Sequence, residues 1–199
     1  MRVDATVAVA AAFWTVARIA AVDAAQTDPL AYTREVLQRC SDVVRGPADR
    51  KQKLTQLNDL LRTFLDTDAL AHLAADKHLQ GRSEAEVKEF LTLFHEFFVR
   101  TYVQRLLLFD APDFTYGTET VEGDTARVPT EVVTPGDRFA VDYTLRRSAA
   151  GWRATDIQVE GVSLAKNFRA QFDNAVEKDS FQGLLQRLRD KVGTPPASS

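Results

Sequence analysis

The chain has 199 residues, 45% of them hydrophobic and 27% charged, enough for one domain with a sizeable core. A formal net charge of -3 gives no support for nucleic-acid binding or a polybasic membrane patch. The single cysteine, Cys40, excludes an intrachain disulfide and any zinc pattern built on paired cysteines.

The chain begins like an export signal. Arg2 gives a short basic start, Val7–Ala17 an apolar core, and Val22-Asp23-Ala24 a small-residue cleavage site. Asp4 and Arg18 are unusual in such a segment. The competing reading, a core or membrane helix, meets a difficulty of length, because a bilayer span needs roughly 20 apolar residues. The expected organisation is a signal peptide over 1–24, a single domain over 25–193 and a disordered tail over 194–199. Such a protein is exported and periplasmic.

Asp28 as N-cap with Pro29 at the first helical position starts a helix over Pro29–Val44, and Gly46-Pro47 ends it. A second helix runs from about Asp49 to Phe64, with Leu54, Leu57, Leu60, Leu61 and Phe64 on one side. Asp66 caps a shorter helix that ends near Gly81. Ser83-Glu84-Ala85-Glu86 is a capping box opening the longest helix, about Glu84–Phe109. Its stripe includes Phe90, Phe94, Phe98, Tyr102, Leu106 and Phe109, a wide aromatic face that needs an apolar surface against it.

Beyond Pro112 the period becomes alternating. Phe114, Tyr116, Thr118 and Thr120 follow one strand, and Glu122-Gly123-Asp124 turns it. Ala126, Val128, Thr130 and Val132 follow the next, where Pro129 implies an edge or a bulge. Phe139, Val141, Tyr143 and Leu145 alternate along the third, and Trp152–Val159 forms the fourth. A turn at Gly161 leads to Ser163, whose hydroxyl suits an N-cap, and Leu164, Phe168 and Phe172 stack along one face of the helix behind it. A last amphipathic helix covers Phe181–Lys191. The fold class is α+β: a curved antiparallel sheet of about four strands with helices on one face, able to enclose an apolar pocket.

Chemistry is sparse. His72 lies four residues from Asp68 and from Asp76, a spacing that exposed helix pairs explain better than a metal. Gly-Val-Ser-Leu-Ala around Ser163 lacks the second glycine of a nucleophile elbow. Asp142 and Asp156 are the carboxylates placed for pocket acid–base work. Alternation puts Asp142 on the polar side of its strand. Asp156 is central in its strand, where a structural hydrogen bond is the stronger reading. No cofactor and no metal is expected.

The run Trp152-x3-Asp156-Ile157-x-Val159-Glu160-Gly161-Val162-Ser163-Leu164-x2-Asn167-Phe168-Arg169-x-Gln171-Phe172 resembles the hallmark of one family. That family is the periplasmic lipid-shuttle component of the Mla (maintenance of lipid asymmetry) ABC transport system, also called the toluene-tolerance family. Phe64-Leu65-Asp66 and Phe94-x2-Phe97-Phe98-x2-Thr101-Tyr102 resemble two further family blocks, so the resemblance spans about Asp28–Lys191. Ala74–Leu79 and Gly81 depart from the family's Leu-Gly and Trp, and Ala165 from its Val or Ile.

The resemblance implies a soluble carrier that moves phospholipid between an outer-membrane lipoprotein complex and an inner-membrane ABC transporter complex with its lipid-binding ring subunit. Two acyl chains would sit inside and the headgroup outside. On that implication, stripe and alternation assign Phe98, Tyr102 and Leu106, then Phe139, Val141 and Tyr143, to the pocket. Ile157, Val159, Val162, Leu164 and Phe168 complete it, with Asn167 and Arg169 at the mouth. The alternatives are a hopanoid or isoprenoid carrier of the same family, a small pocket enzyme using Asp156, and an adaptor whose apolar face is simply core.

Overall fold

The computed structural model describes residues 28–108 and 112–193. The expected signal peptide over 1–24, the tail over 194–199 and Phe109 lie outside the described residues. The helical half is α1 (Pro29–Arg45), α2 (Arg50–Phe64), α3 (Thr67–Leu79) and α4 (Glu84–Leu106). The strands are β1 (Asp113–Tyr116), β2 (Thr120–Glu122), β3 (Thr125–Val133), β4 (Arg138–Ser148), β5 (Gly151–Val159) and β6 (Val162–Ser163), and α5 (Leu164–Gly193) closes the chain.

Local chemistry sets the helix starts. The Asp28 carboxylate accepts from the Ala31 N–H at 2.9 Å, and Asp66 accepts from the Ala69 N–H at 3.0 Å. Asp49 with Gln52, and Ser83 with Glu86, each form a reciprocal capping box. α5 is two helices joined at Ser180, where φ is 72°. Gly183 makes this joint possible, because a Cβ there would stand 2.6 Å from the Asp179 Cβ.

The sheet is antiparallel, in the order β1-β3-β4-β5-β6, with β2 paired to β3 beyond the end of β1. This corrects the expected four strands. The first expected strand is two, and the reason is Pro129. The Gly117 N–H donates to the Pro129 carbonyl at 2.9 Å, so Pro129 faces β1 and β2 with an acceptor but no N–H to return. The ladder breaks there: Tyr116 pairs Thr130, and pairing resumes only at Thr120 with Arg127. The proline therefore sits inside an interior strand and interrupts its partner.

A bulge shapes β5. Thr144 pairs Asp156 while Leu145 pairs Ala154, which leaves Thr155 as the extra residue. One inserted residue inverts side-chain parity. It keeps Ile157 and Val159 beside Tyr143 and Val141, where unbroken alternation from Trp152 would have turned them away.

The helices meet along a seam of phenylalanines. Phe94 stands 5.3 Å from Phe168 and 5.9 Å from Phe172, both edge-on, and Phe90 touches Phe172 and Phe181 at 5.7 and 6.0 Å. These pairs add roughly 0.5–1.5 kcal/mol each beyond burial. At the sheet's far corner, Asp66 donates its N–H to the Ala154 carbonyl at 2.8 Å, fixing the α2–α3 junction to β5.

Candidate functional site

Between the sheet and helices α1, α2 and α4 lies a cavity of about 340 Å³. Its inner part is closed by Leu37, Cys40, Phe64, Leu65 and Phe98, each 4% exposed or less. Its outer part is lined by half-buried Leu106, Phe114, Phe139, Ile157 and Val159, with exposed Arg105 beside them. The burial gradient gives the cavity one deep end and one end at solvent.

Apart from Arg105 at the outer end, the described walls stay uncharged. Burial pushes the Cys40 thiol up to about 12. It also raises the Tyr143 and Tyr102 hydroxyls above their ordinary range, although Arg105 pulls against this at Tyr102. The nearest polar events are satisfied locally: the Thr130 hydroxyl donates to the Val141 carbonyl at 2.6 Å. A volume of this size lies at the low end of the roughly 300–1,000 Å³ typical of small-molecule sites. The one thiol among the described lining residues, Cys40, is held protonated at neutral pH by its burial.

The sequence-derived pocket residues divide. Phe98, Tyr102, Leu106, Phe139, Val141 and Tyr143 line the cavity, as do Ile157, Val159 and Leu164. Phe168 does not; it stands 5.9 Å from Phe98 and backs the wall from within the aromatic seam. Val162 is 57% exposed on the β6 hairpin. Neither residue of the expected mouth is near it. The Arg169 guanidinium reaches the Leu73 carbonyl, with Nε at 3.1 Å, and ties α5 to α3. Asn167 is exposed and accepts from Gln171 Nε2 at 3.1 Å, one turn along the same helix.

Sequence reasoning missed Leu37, Cys40, Leu61, Phe64 and Leu65 from α1, α2 and the residue after it, and Pro112, Phe114 and Val132 from the strand half. The signal was present in part, since Leu61 and Phe64 were on the stripe of the second helix and Phe114 and Val132 on the strand alternations. What was lacking was a way to know that α1 and α2 cover the sheet face that α4 leaves open. Arg105 was missed for a different reason: a basic residue in a last helical turn reads as a partner for the helix dipole.

The carboxylates have structural work. Asp156 Oδ1 accepts from the Ile157 N–H at 2.9 Å and the Ala165 N–H at 3.1 Å, while Oδ2 accepts from the Ser163 hydroxyl at 2.6 Å. Ser163 Oγ in turn accepts from the Lys166 N–H at 3.1 Å. One side chain thus pins the β5–β6 turn to the start of α5. Asp142 pairs with Arg127. His78 is hydrogen-bonded to Asp173 at 2.7 Å, and His95 Nδ1 to the Thr67 hydroxyl at 2.7 Å. Among the described residues no cluster could hold a metal ion.

A wider depression of about 760 Å³ lies on the other side of α4, between Arg62, Asp68, Arg82, Lys88, His95 and Arg153. Its charges of both signs make it a poor home for an apolar ligand. Arg153 spans its floor, donating to the Arg62 carbonyl at 3.1 Å and to the Leu65 carbonyl.

Residues 31–190 match the family model described as MlaC protein. Among solved structures, the fold is similar to that of a phospholipid-binding protein from Ralstonia solanacearum, determined in complex with a phospholipid. The TM-score is 0.74 at 20% identity, and the alignment covers 83% of this chain and 97% of that one.

Proposed function

The chain belongs to the MlaC protein family, and from that premise we propose that it is a carrier that binds phospholipid by its acyl chains in the cavity between sheet and helices. The observation that supports this most is the lining itself: an apolar sleeve with a deep end, open to solvent at one side, where Arg105 stands. Each methylene moved from water into it gains about 0.8 kcal/mol, so holding a lipid needs a sleeve and no covalent chemistry. The phospholipid found with the Ralstonia solanacearum protein of the same fold supports the same ligand class.

The finer reading places this carrier in the periplasm, after removal of the segment over 1–24. There it would pass phospholipid between an outer-membrane lipoprotein complex and the inner-membrane ABC transporter with its lipid-binding ring subunit. Among the described residues no helix is long and apolar enough to cross a membrane.

Native mass spectrometry of protein recovered from the periplasm without detergent tests the binding step. One phospholipid of excess mass, lost on denaturation, is the expected result, and its fragmentation separates phospholipid from isoprenoid. A clean polypeptide mass, with no uptake from labelled vesicles, overturns the proposal.

A further inference from the structure

We propose that Arg105 is the anchor for the lipid's phosphate at the rim of the cavity. The inference rests on the carrier reading and adds to it the contact that orients the ligand. Among the described residues lining the cavity Arg105 is the one that is charged, and it stands at the end where burial gives way to exposure. A lipid held by its acyl chains leaves its phosphodiester, with one negative charge, at that end.

The guanidinium is placed for this role. It lies in the last turn of α4, where the helix dipole favours a cation without any carboxylate. Its carbon is 5.4 Å from the centroid of the Tyr102 ring, itself part of the cavity wall. Stacking on a ring holds the plane of the group and leaves its N–H donors unspent. The contrast with other arginines is informative. Arg45, Arg127, Arg138, Arg187 and Arg189 are ion-paired to carboxylates, Arg169 is spent on a backbone carbonyl, and Arg34 and Arg147 lie over rings as Arg105 does but outside the cavity lining. Among the described residues the Arg105 side chain makes no ion pair and no hydrogen bond; its contact is the Tyr102 ring. A planar fork of this kind matches two phosphate oxygens at once.

The test compares phosphatidylglycerol with a diacylglycerol carrying the same two acyl chains. Each is offered from vesicles to the wild-type protein and to the Arg105→Gln and Arg105→Lys variants. Arg105→Gln is expected to bind phosphatidylglycerol about fivefold more weakly, the scale of a solvent-screened charged hydrogen bond. Diacylglycerol binding stays at the wild-type level. Arg105→Lys recovers part of the loss, because it restores the charge but not the fork. Inorganic phosphate at the same concentration leaves lipid binding unchanged. Equal loss for both lipids overturns the anchor, since Arg105 would then act only by packing on Tyr102. Unchanged phosphatidylglycerol binding also overturns it, and so does inorganic phosphate competing as strongly as the lipid. If the wild-type protein takes up neither lipid, the carrier reading itself fails and this inference with it.

Discussion

Asp156→Ala removes the acceptor that joins β5, β6 and α5. Three hydrogen bonds are lost at 2.9, 3.1 and 2.6 Å, two from backbone N–H groups and one from Ser163. A net contribution of about 1 kcal/mol for each, at a site that is only half-buried, gives a destabilisation of about 3 kcal/mol. For a domain of this size that lowers the melting temperature by roughly 6–12 °C. Asp156→Asn keeps one carbonyl oxygen for the two backbone donors and strands the Ser163 hydroxyl proton, so its cost is about 1 kcal/mol. Urea unfolding followed by circular dichroism measures both, and lipid stoichiometry is read on the same samples. The Asn variant should carry lipid at the wild-type ratio. An alanine variant within about 0.5 kcal/mol of wild type would refute the pinning role. A chemical activity abolished by Asp156→Asn at unchanged stability would instead revive the pocket enzyme.

Val141→Trp pushes an indole into the cavity at a cost of about 1–3 kcal/mol in overpacking; co-purified lipid is expected to fall at least about tenfold, and undiminished lipid would mean that the chains sit elsewhere. Arg169→Ala removes the tie to Leu73 and should cost about 1 kcal/mol without changing lipid affinity, whereas a selective loss of affinity would restore Arg169 to the mouth. Burial, with Arg62 and Arg153 against Asp68 and Glu96, lowers the His95 pKa below its ordinary value of 6.5. The unfolded chain then binds more protons than the folded one, so this contribution is present above about pH 6.5 and is lost as pH falls toward the folded pKa. His95→Gln should flatten the difference in urea midpoint between about pH 7.5 and about pH 5.5, and an unchanged difference would remove His95 as its source.

The elements were legible because their boundaries are written in short-range chemistry. Asp28-Pro29, Ser83 with Glu86 and the turn at Gly123 mark ends that no tertiary contact has to supply. Pro129 was harder, because its effect appears on the neighbouring strand rather than on its own. The β5 bulge at Thr155 leaves no mark in a run that alternates only loosely, yet it decides which side Ile157 faces. For the site, spacing found the walls contributed by α4, β4 and β5. It could not find those from α1 and α2, since which helix covers which part of a sheet is a long-range choice. Arg169 shows the same limit from the other side: a cation beside a hallmark motif reads as a ligand contact until the Leu73 carbonyl is seen to occupy it.

The aromatic seam divides the molecule into a stiff wall and a compliant one. On one side α4 is locked to α5 by ring upon ring, from Phe90 through Phe98 to Phe181. On the other, α1 is moored to the β1 region by individual polar bonds. These are the Ser41 hydroxyl to the Pro112 carbonyl at 2.8 Å, the Leu30 N–H to Glu119 at 2.8 Å, and Arg45 to Asp113. β1 itself is a four-residue strand with a single partner. Interdigitated rings resist sliding, whereas separate tethers yield one at a time. In the proposed carrier, swelling to admit a bulkier cargo would fall to α1 and β1, the wall that those few bonds hold.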